Sequence, residues 1–252
     1  MKTIAVLNQK GGVGKTTISV NLSHALALAG NRVMAIDLDP QGHLSTSLGI
    51  FKQPIHGVSD VLKGERTLSS VKIDTREGLQ LIPAGENLRE IEEVGGNVKE
   101  QMHLLKEAIA DIEDKPDFIV LDCPPSSGLL GANAILAVDE ILIPVSGDYL
   151  SLNGLAHLMI TLKRFEAVRD TPLCKRIVLS RFVARRRLSQ EVLEKLLEHF
   201  PDLIMKTFIR EAAVLSECPS AGRTIFEYKS TSSSAEDFRQ LALDVLEGNI
   251  LT

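Results

Sequence analysis

Five short runs in this chain are apolar almost throughout: TIAVL (3–7), RVMAID (32–37), DFIVLD (117–122), EILIPV (140–145) and RIVLS (176–180). A strand with one face in water alternates polar and apolar residues, whereas a strand covered on both faces has no need to. Longer stretches with helical spacing separate these runs, at 15–29, 98–114, 151–170 and 188–199, with a last one at 233–247. This alternation predicts an α/β fold, with a mostly parallel sheet covered by helices on both faces. Gly30 and Asn31 mark the end of the first helix, and the serines at 232–234 offer a cap for the last. Residues 50–97 are less regular, with edge strands expected near 71–74 and 79–82. No repeat or low-complexity linker divides the sequence, so residues 1–252 are expected to form a single domain.

The three cysteines, Cys123, Cys174 and Cys218, are widely spaced and form no C-x-x-C pair. That usage suits a reducing compartment and argues against both a disulfide framework and zinc. Only five residues between Lys2 and Asn8 could mimic a signal core, and no 18-residue apolar run exists, so a cytoplasmic protein is expected. The net charge of −5 speaks against a nucleic-acid binder, but the charge is uneven. Between Lys163 and Arg187 nine basic residues face only Glu166 and Asp170, which is enough for a local positive patch.

The first apolar run leads into NQKGGVGKTT (8–17), where the first helix begins. Glycine at 11, 12 and 14 lets the backbone turn its N–H groups inward, as a phosphate cradle requires. Lys15 would reach the β- and γ-phosphates of ATP, Thr16 would offer its hydroxyl to Mg²⁺, and the helix N-terminus adds its positive dipole end. The candidate nucleotide-binding residues are Lys10, Gly11, Gly12, Val13, Gly14, Lys15, Thr16 and Thr17. The usual pattern places glycine at position 9, where this chain has Gln9, and the loop holds a second lysine, Lys10.

Two further segments carry carboxylates at strand ends. DFIVLDCPPS places Asp122 where a carboxylate would hold Mg²⁺, directly or through water. AIDLDPQG places Asp37 and Asp39 one residue apart, so they point to opposite sides of an extended segment. With Asp37 on the metal side, Asp39 falls in the turn; aspartates are also ordinary turn formers.

QKGGVGKTT, DLDPQG and FIVLDCPPS together resemble the deviant Walker A ATPases of the ParA/MinD family. IPVSGDYLSLNGL (143–155), LSQEVLEKL (188–196) and LSECPSAG (215–222) are similar to the ParA branch, so the resemblance spans residues 1 to about 247. It implies that Lys10 crosses the interface of an ATP-sandwiched homodimer to reach the phosphates held by the other subunit. It implies a catalytic set of Lys10, Lys15 and Asp39, with Asp39 polarising the lytic water, and a metal set of Thr16, Asp37 and Asp122. The loop PPSSG (124–128) would contact the γ-phosphate, and the base would lie near 180–181 and 209–210.

Within that family two functions compete. One is a partitioning or positioning ATPase whose ATP dimer coats nucleoid DNA nonspecifically and is stimulated by a ParB-like or cargo-adaptor protein, moving a chromosome, plasmid or other cargo. The other is a MinD-like membrane-associated ATPase, which needs a basic amphipathic C-terminal helix. LALDVLEGNILT has no Lys or Arg after Arg239, which favours DNA and no membrane. A metal-cluster or reductase-type relative would want paired cysteines. Arg185, Arg186, Arg187 and Arg210 are the candidate DNA contacts. Many ParA proteins carry a basic I-P-R-N-V-R segment where this chain has IREAAV (209–214), with Arg210 in place of the usual proline and an acidic Glu211 beside it. No helix-turn-helix precedes the first strand, so site-specific repression is not expected.

Overall fold

In the computed structural model, residues 1–93, 101–126 and 128–251 are described. Seven strands form one sheet: β1 (Lys2–Val6), β2 (Val33–Asp37), β3 (Ile73–Arg76), β4 (Leu79–Ile82), β5 (Phe118–Asp122), β6 (Glu140–Ser146) and β7 (Cys174–Ser180). Their order across the sheet is β3-β4-β2-β5-β1-β6-β7. All neighbours run parallel except the edge pair β3 and β4. The larger helices are α1 (Lys15–Leu28), α2 (Leu104–Ala110), α3 (Leu129–Ala137), α4 (Tyr149–Glu166), α5 (Arg187–His199) and α6 (Ser233–Glu247).

The continuous apolar strands are explained by two cores, one on each face. Ala5, Ile36, Leu121, Ile143 and Leu179 point toward the side covered by α2, α3, α4 and α5. Their alternating neighbours Ile4, Val6, Ala35, Val120, Leu142 and Val178 point toward α1 and α6. Every strand but the edge strand β3 therefore contributes apolar residues to both sides, and β1, β2, β5 and β6 are buried at nearly every position.

Three local outcomes differ from expectation. The edge strand β3 starts at Ile73 because a short helix, Leu68–Val71, comes first, with the Thr67 hydroxyl accepting from the Ser70 N–H at 3.3 Å. The helix expected over 98–114 is broken among the described residues: Gln101 is helical, 102–103 form a turn, and α2 ends at Ala110; 98–100 lie outside them. Helix α3 has no counterpart in the sequence reading. Its residues LLGANAILA are buried from Leu130 to Leu136, so no polar face supplies a helical period. The one large polar side chain, Asn133, accepts from the Leu105 N–H and donates to the carbonyls of Gln101 and Leu129.

The helix ends follow the sequence signals. Gly30 leaves α1 with φ 90°, and Gly248 closes α6 with φ 75°, both in the left-handed region that glycine adopts without strain. Ser232 caps α6 by accepting from the Ala235 N–H at 3.2 Å.

Candidate functional site

Strand register gathers the site. At the C-terminal end of the sheet Asp122 of β5 lies beside Val6 of β1 on one side and Asp37 of β2 on the other. The chain leaves β1 and returns at β2 on the far side of β5, which opens the crevice where doubly wound sheets bind ligands.

The loop from β1 to α1 fills that crevice. Gly14 is the N-cap of α1 at φ 87°, Gly12 stands at φ 73°, and no side chain caps the helix. A Cβ added at Gly11, Gly12 or Gly14 would meet nothing within 4 Å, so these backbone groups face open space. The orphan N–H groups and the helix dipole at this end suit the binding of an anion. Val13 is buried instead, and its carbonyl accepts from the Ser180 hydroxyl at 2.7 Å, tying the loop to β7. Gly12, Gly14 and Thr17 line one wall of a cavity of about 490 Å³, and residues 180–181 and 209–213 line the other.

Lys15 is 8% exposed and donates to the Lys10 carbonyl at 3.2 Å. Burial lowers its pKa, while the negative charges of Asp122 and Asp39 oppose that shift. The Thr16 hydroxyl donates to Asp122 at 2.7 Å, and the Ser19 hydroxyl donates to the other oxygen at 2.9 Å. Asp122 is fully buried, and burial pushes its carboxyl up to about 6 even though both hydroxyls favour the charged form. Asp37 is equally buried; desolvation and the adjacent Asp122 raise its pKa well above the ordinary range. Among the described residues neither carboxylate has a salt-bridge partner. Asp39 lies half-buried in the turn, where its Oδ1 accepts from the Gln41 N–H at 3.0 Å.

The two lysines of the loop part company. The Lys10 ammonium turns away from the phosphate position to Asp148 Oδ1 at 2.5 Å and the Ser151 hydroxyl at 3.0 Å, at the N-terminus of α4. Burial would raise the pKa of Asp148, but hydrogen bonds from Lys10 and Ser146 hold it below the ordinary range.

The basic residues are partly neutralised. Arg210 donates to Asp237 through Nε at 3.0 Å and through Nη2 at 2.5 Å, and also to the Ser233 carbonyl at 3.0 Å. Arg186 pairs with Glu211 at 3.4 Å and Arg187 with Glu191 at 2.8 Å; Arg185 has no ion pair among the described residues. In the loop 124–128, Ser126 donates to Glu92 at 2.7 Å, and Ser127 lies outside the described residues.

Sequence reasoning missed Ser19 and Asp148, and noted Glu211 only as an acidic neighbour of Arg210, without its arginine partners. Ser19 follows Thr16 by three residues, the spacing that puts two side chains on one helix face. The two carboxylates have no such local signal.

An anion-binding loop that opens onto a cavity beside two buried carboxylates defines a P-loop nucleotide-binding protein. A family model described as an AAA domain matches residues 1–174. The chain is 39% identical over 248 residues to the sporulation initiation inhibitor protein Soj of Bacillus subtilis, covering 97% of this chain and 98% of that one. It is 36% identical over 247 residues to the chromosome-partitioning ATPase Soj of Treponema pallidum, covering 97% of each. Among solved structures, the cobyrinic acid a,c-diamide synthase of Mycobacterium smegmatis with bound ATP analog and magnesium superposes with a TM-score of 0.84, at 27% identity over the whole of both chains. The chain belongs to the ParA/Soj family of partitioning ATPases. It is an ATP-dependent ATPase of the partitioning or positioning kind. The membrane-associated alternative gains no support: α6 buries Phe238, Leu241 and Val245, and no helix among the described residues is long and apolar enough to cross a membrane.

Proposed function

We propose that this chain is a DNA-associating positioning ATPase that binds DNA as an ATP-sandwiched dimer and releases it on hydrolysis, stimulated by a ParB-like or cargo-adaptor protein. The observation that carries the reading is the division of labour between the two lysines. Lys15 points into its own phosphate loop, whereas Lys10 stands at the rim with its side chain 29% exposed and its ammonium on Asp148, placed to leave for a neighbouring copy. A second ammonium next to Lys15 in one subunit would repel it; two nucleotides across an interface supply negative charge for both.

The residues present fit magnesium. Thr16, Asp37 and Asp122 offer only oxygen donors, and two buried carboxylates side by side without a salt bridge leave negative charge that a hard divalent cation would balance. Bound there, Mg²⁺ would neutralise charge on the β- and γ-phosphate oxygens. Lys15 holds the same phosphates, the loop N–H groups orient them, and Asp39 positions the water.

Asp39→Ala is expected to bind ATP and dimerise normally but to hydrolyse about 10²- to 10⁴-fold more slowly, the range for loss of one proton-transfer group. Size-exclusion chromatography with ATP should show a persistent dimer. Wild-type turnover in this variant would move the water-positioning role to another residue.

We assign the DNA face to Arg185, Arg186 and Arg187, which lead into α5. Contacts to phosphates carry little sequence information and weaken steeply with salt. Replacing the three arginines with glutamate is expected to cut DNA affinity at least about tenfold at low salt while sparing ATP affinity. Undiminished binding would make the stretch an ordinary solvated surface. The reading as a whole is tested by sedimentation with plasmid DNA in the presence of ATP, ADP or neither. ATP-dependent, salt-sensitive retention is expected, and absence of DNA association in the ATP state would overturn it.

A further inference from the structure

Arg181 is the one non-glycine among the described residues with a left-handed backbone, at φ 49°. Its guanidinium reaches two ways from the end of β7. Nη1 donates to the Gly12 carbonyl in the phosphate loop at 3.2 Å, and Nη2 donates to Glu211 Oε1 at 3.1 Å. The other oxygen of Glu211 accepts from Arg186 at 3.4 Å. The main chain that carries this side chain is tied to the end of β7: the Glu211 N–H donates to the Phe182 carbonyl at 3.1 Å, and the Phe182 N–H donates to the Ile209 carbonyl at 3.0 Å. A polar path therefore runs from Gly12 through Arg181 and Glu211 to Arg186, and its first three members line the cavity beside the phosphate loop.

We propose that Glu211 is an electrostatic clasp that links the nucleotide cavity to the basic face at 181–187. With the cavity empty, Glu211 neutralises Arg181 and Arg186 and withholds them from the phosphate backbone of DNA. A polyphosphate entering the cavity repels the carboxylate and competes for Arg181, which frees Arg186. The clasp can be switched because it is weak. Arg181 is 58% exposed, Arg186 52% and Glu211 36%, and ion pairs at such exposure are easily outcompeted by a polyanion. Glu211 acts as a positioning residue, and its role rests on the DNA reading above, adding the regulation of that face by nucleotide.

The test is Glu211→Gln, which removes the charge and keeps the shape. DNA affinity is measured against salt concentration without nucleotide, with ADP and with ATP. The variant should bind DNA more tightly without nucleotide, with its log–log salt slope steeper by about one to two, the contribution of one or two released arginines. The ratio of ATP-bound to nucleotide-free affinity should shrink accordingly. Glu211→Asp should restore the wild-type slope, and Arg186→Gln added to Glu211→Gln should reverse the gain. A salt slope and nucleotide ratio unchanged from wild type would overturn the clasp. So would weaker DNA binding by a Glu211→Gln chain whose thermal unfolding matches wild type. If wild-type protein binds no DNA in any nucleotide state, the DNA reading falls first. The clasp is then judged by affinity for a fluorescent ATP analogue, which Glu211→Gln should raise by removing a carboxylate from the cavity wall. Unchanged analogue affinity would sink the clasp as well.

Discussion

Lys15→Ala leaves the chain unable to hold ATP at ordinary concentrations. The Lys15 ammonium lies within the phosphate loop, on the Lys10 carbonyl, and Asp122 and Asp39 set negative charge close to it. Removing it leaves a cradle of N–H groups beside uncompensated carboxylates, so incoming polyphosphate meets repulsion where it met attraction. Truncating one partner of a buried charged contact costs about 2–5 kcal/mol, which corresponds to a loss of roughly 30- to 4,000-fold in affinity. Lys10 is paired with Asp148 rather than directed into the loop beside Lys15. Isothermal titration calorimetry with ATP measures the effect directly. Affinity equal to wild type would remove the phosphate-loop assignment.

Lys10→Ala is expected to have the second large effect, of a different kind. Monomeric ATP binding through Lys15 should survive, while ATP-induced dimerisation and hydrolysis should be lost. A cation delivered from a neighbour to the developing charge on a transferred phosphoryl group is worth roughly 10³–10⁵ in rate. The resting contact costs little to break, since Lys10 and Asp148 are 29% and 41% exposed and pairs at such exposure are weak. Single-turnover hydrolysis and size-exclusion chromatography with ATP check the two losses separately. Normal hydrolysis by Lys10→Ala would leave the second lysine without a catalytic role.

The sheet was legible in the sequence because burial on both faces leaves a signal in every strand, and the phosphate loop was legible because its glycines and lysine are contiguous. Local chemistry also placed α1 and α6, through Gly30 at the end of the one and Ser232 at the start of the other. Helix α3 was illegible for the opposite reason: a short helix buried on all sides has no periodic contrast. The site residues divide along the same line. Asp122 and Thr16 stand in recognisable motifs, and their meeting at 2.7 Å follows from the parallel register of β1 and β5. Asp148 meets Lys10 across 138 positions of sequence and Asp237 meets Arg210 across 27, and neither partner carries a local mark. Read alone, Arg210 is one more cation in a basic half of the chain. Held by Asp237 and the Ser233 carbonyl, it is a tie between the cavity wall and α6.

Whether Lys10 serves the nucleotide of its own subunit or of the other copy can be read from mixed dimers. A Lys10→Ala chain binds ATP and keeps Asp39 but lends no cation to its neighbour. An Asp39→Ala chain binds ATP and keeps Lys10 but cannot activate water. Each alone should be nearly inactive. Mixed in equal amounts, they form dimers in which the ATP held by the Lys10→Ala subunit sees its own Asp39 and the Lys10 of the Asp39→Ala subunit. Delivery across the interface predicts that the mixture recovers ATPase activity well above the sum of its parts, with one working site in each mixed dimer. Delivery within a subunit predicts no working site in any dimer, and a mixture that forms dimers yet stays as inactive as its components would contradict the trans role of Lys10.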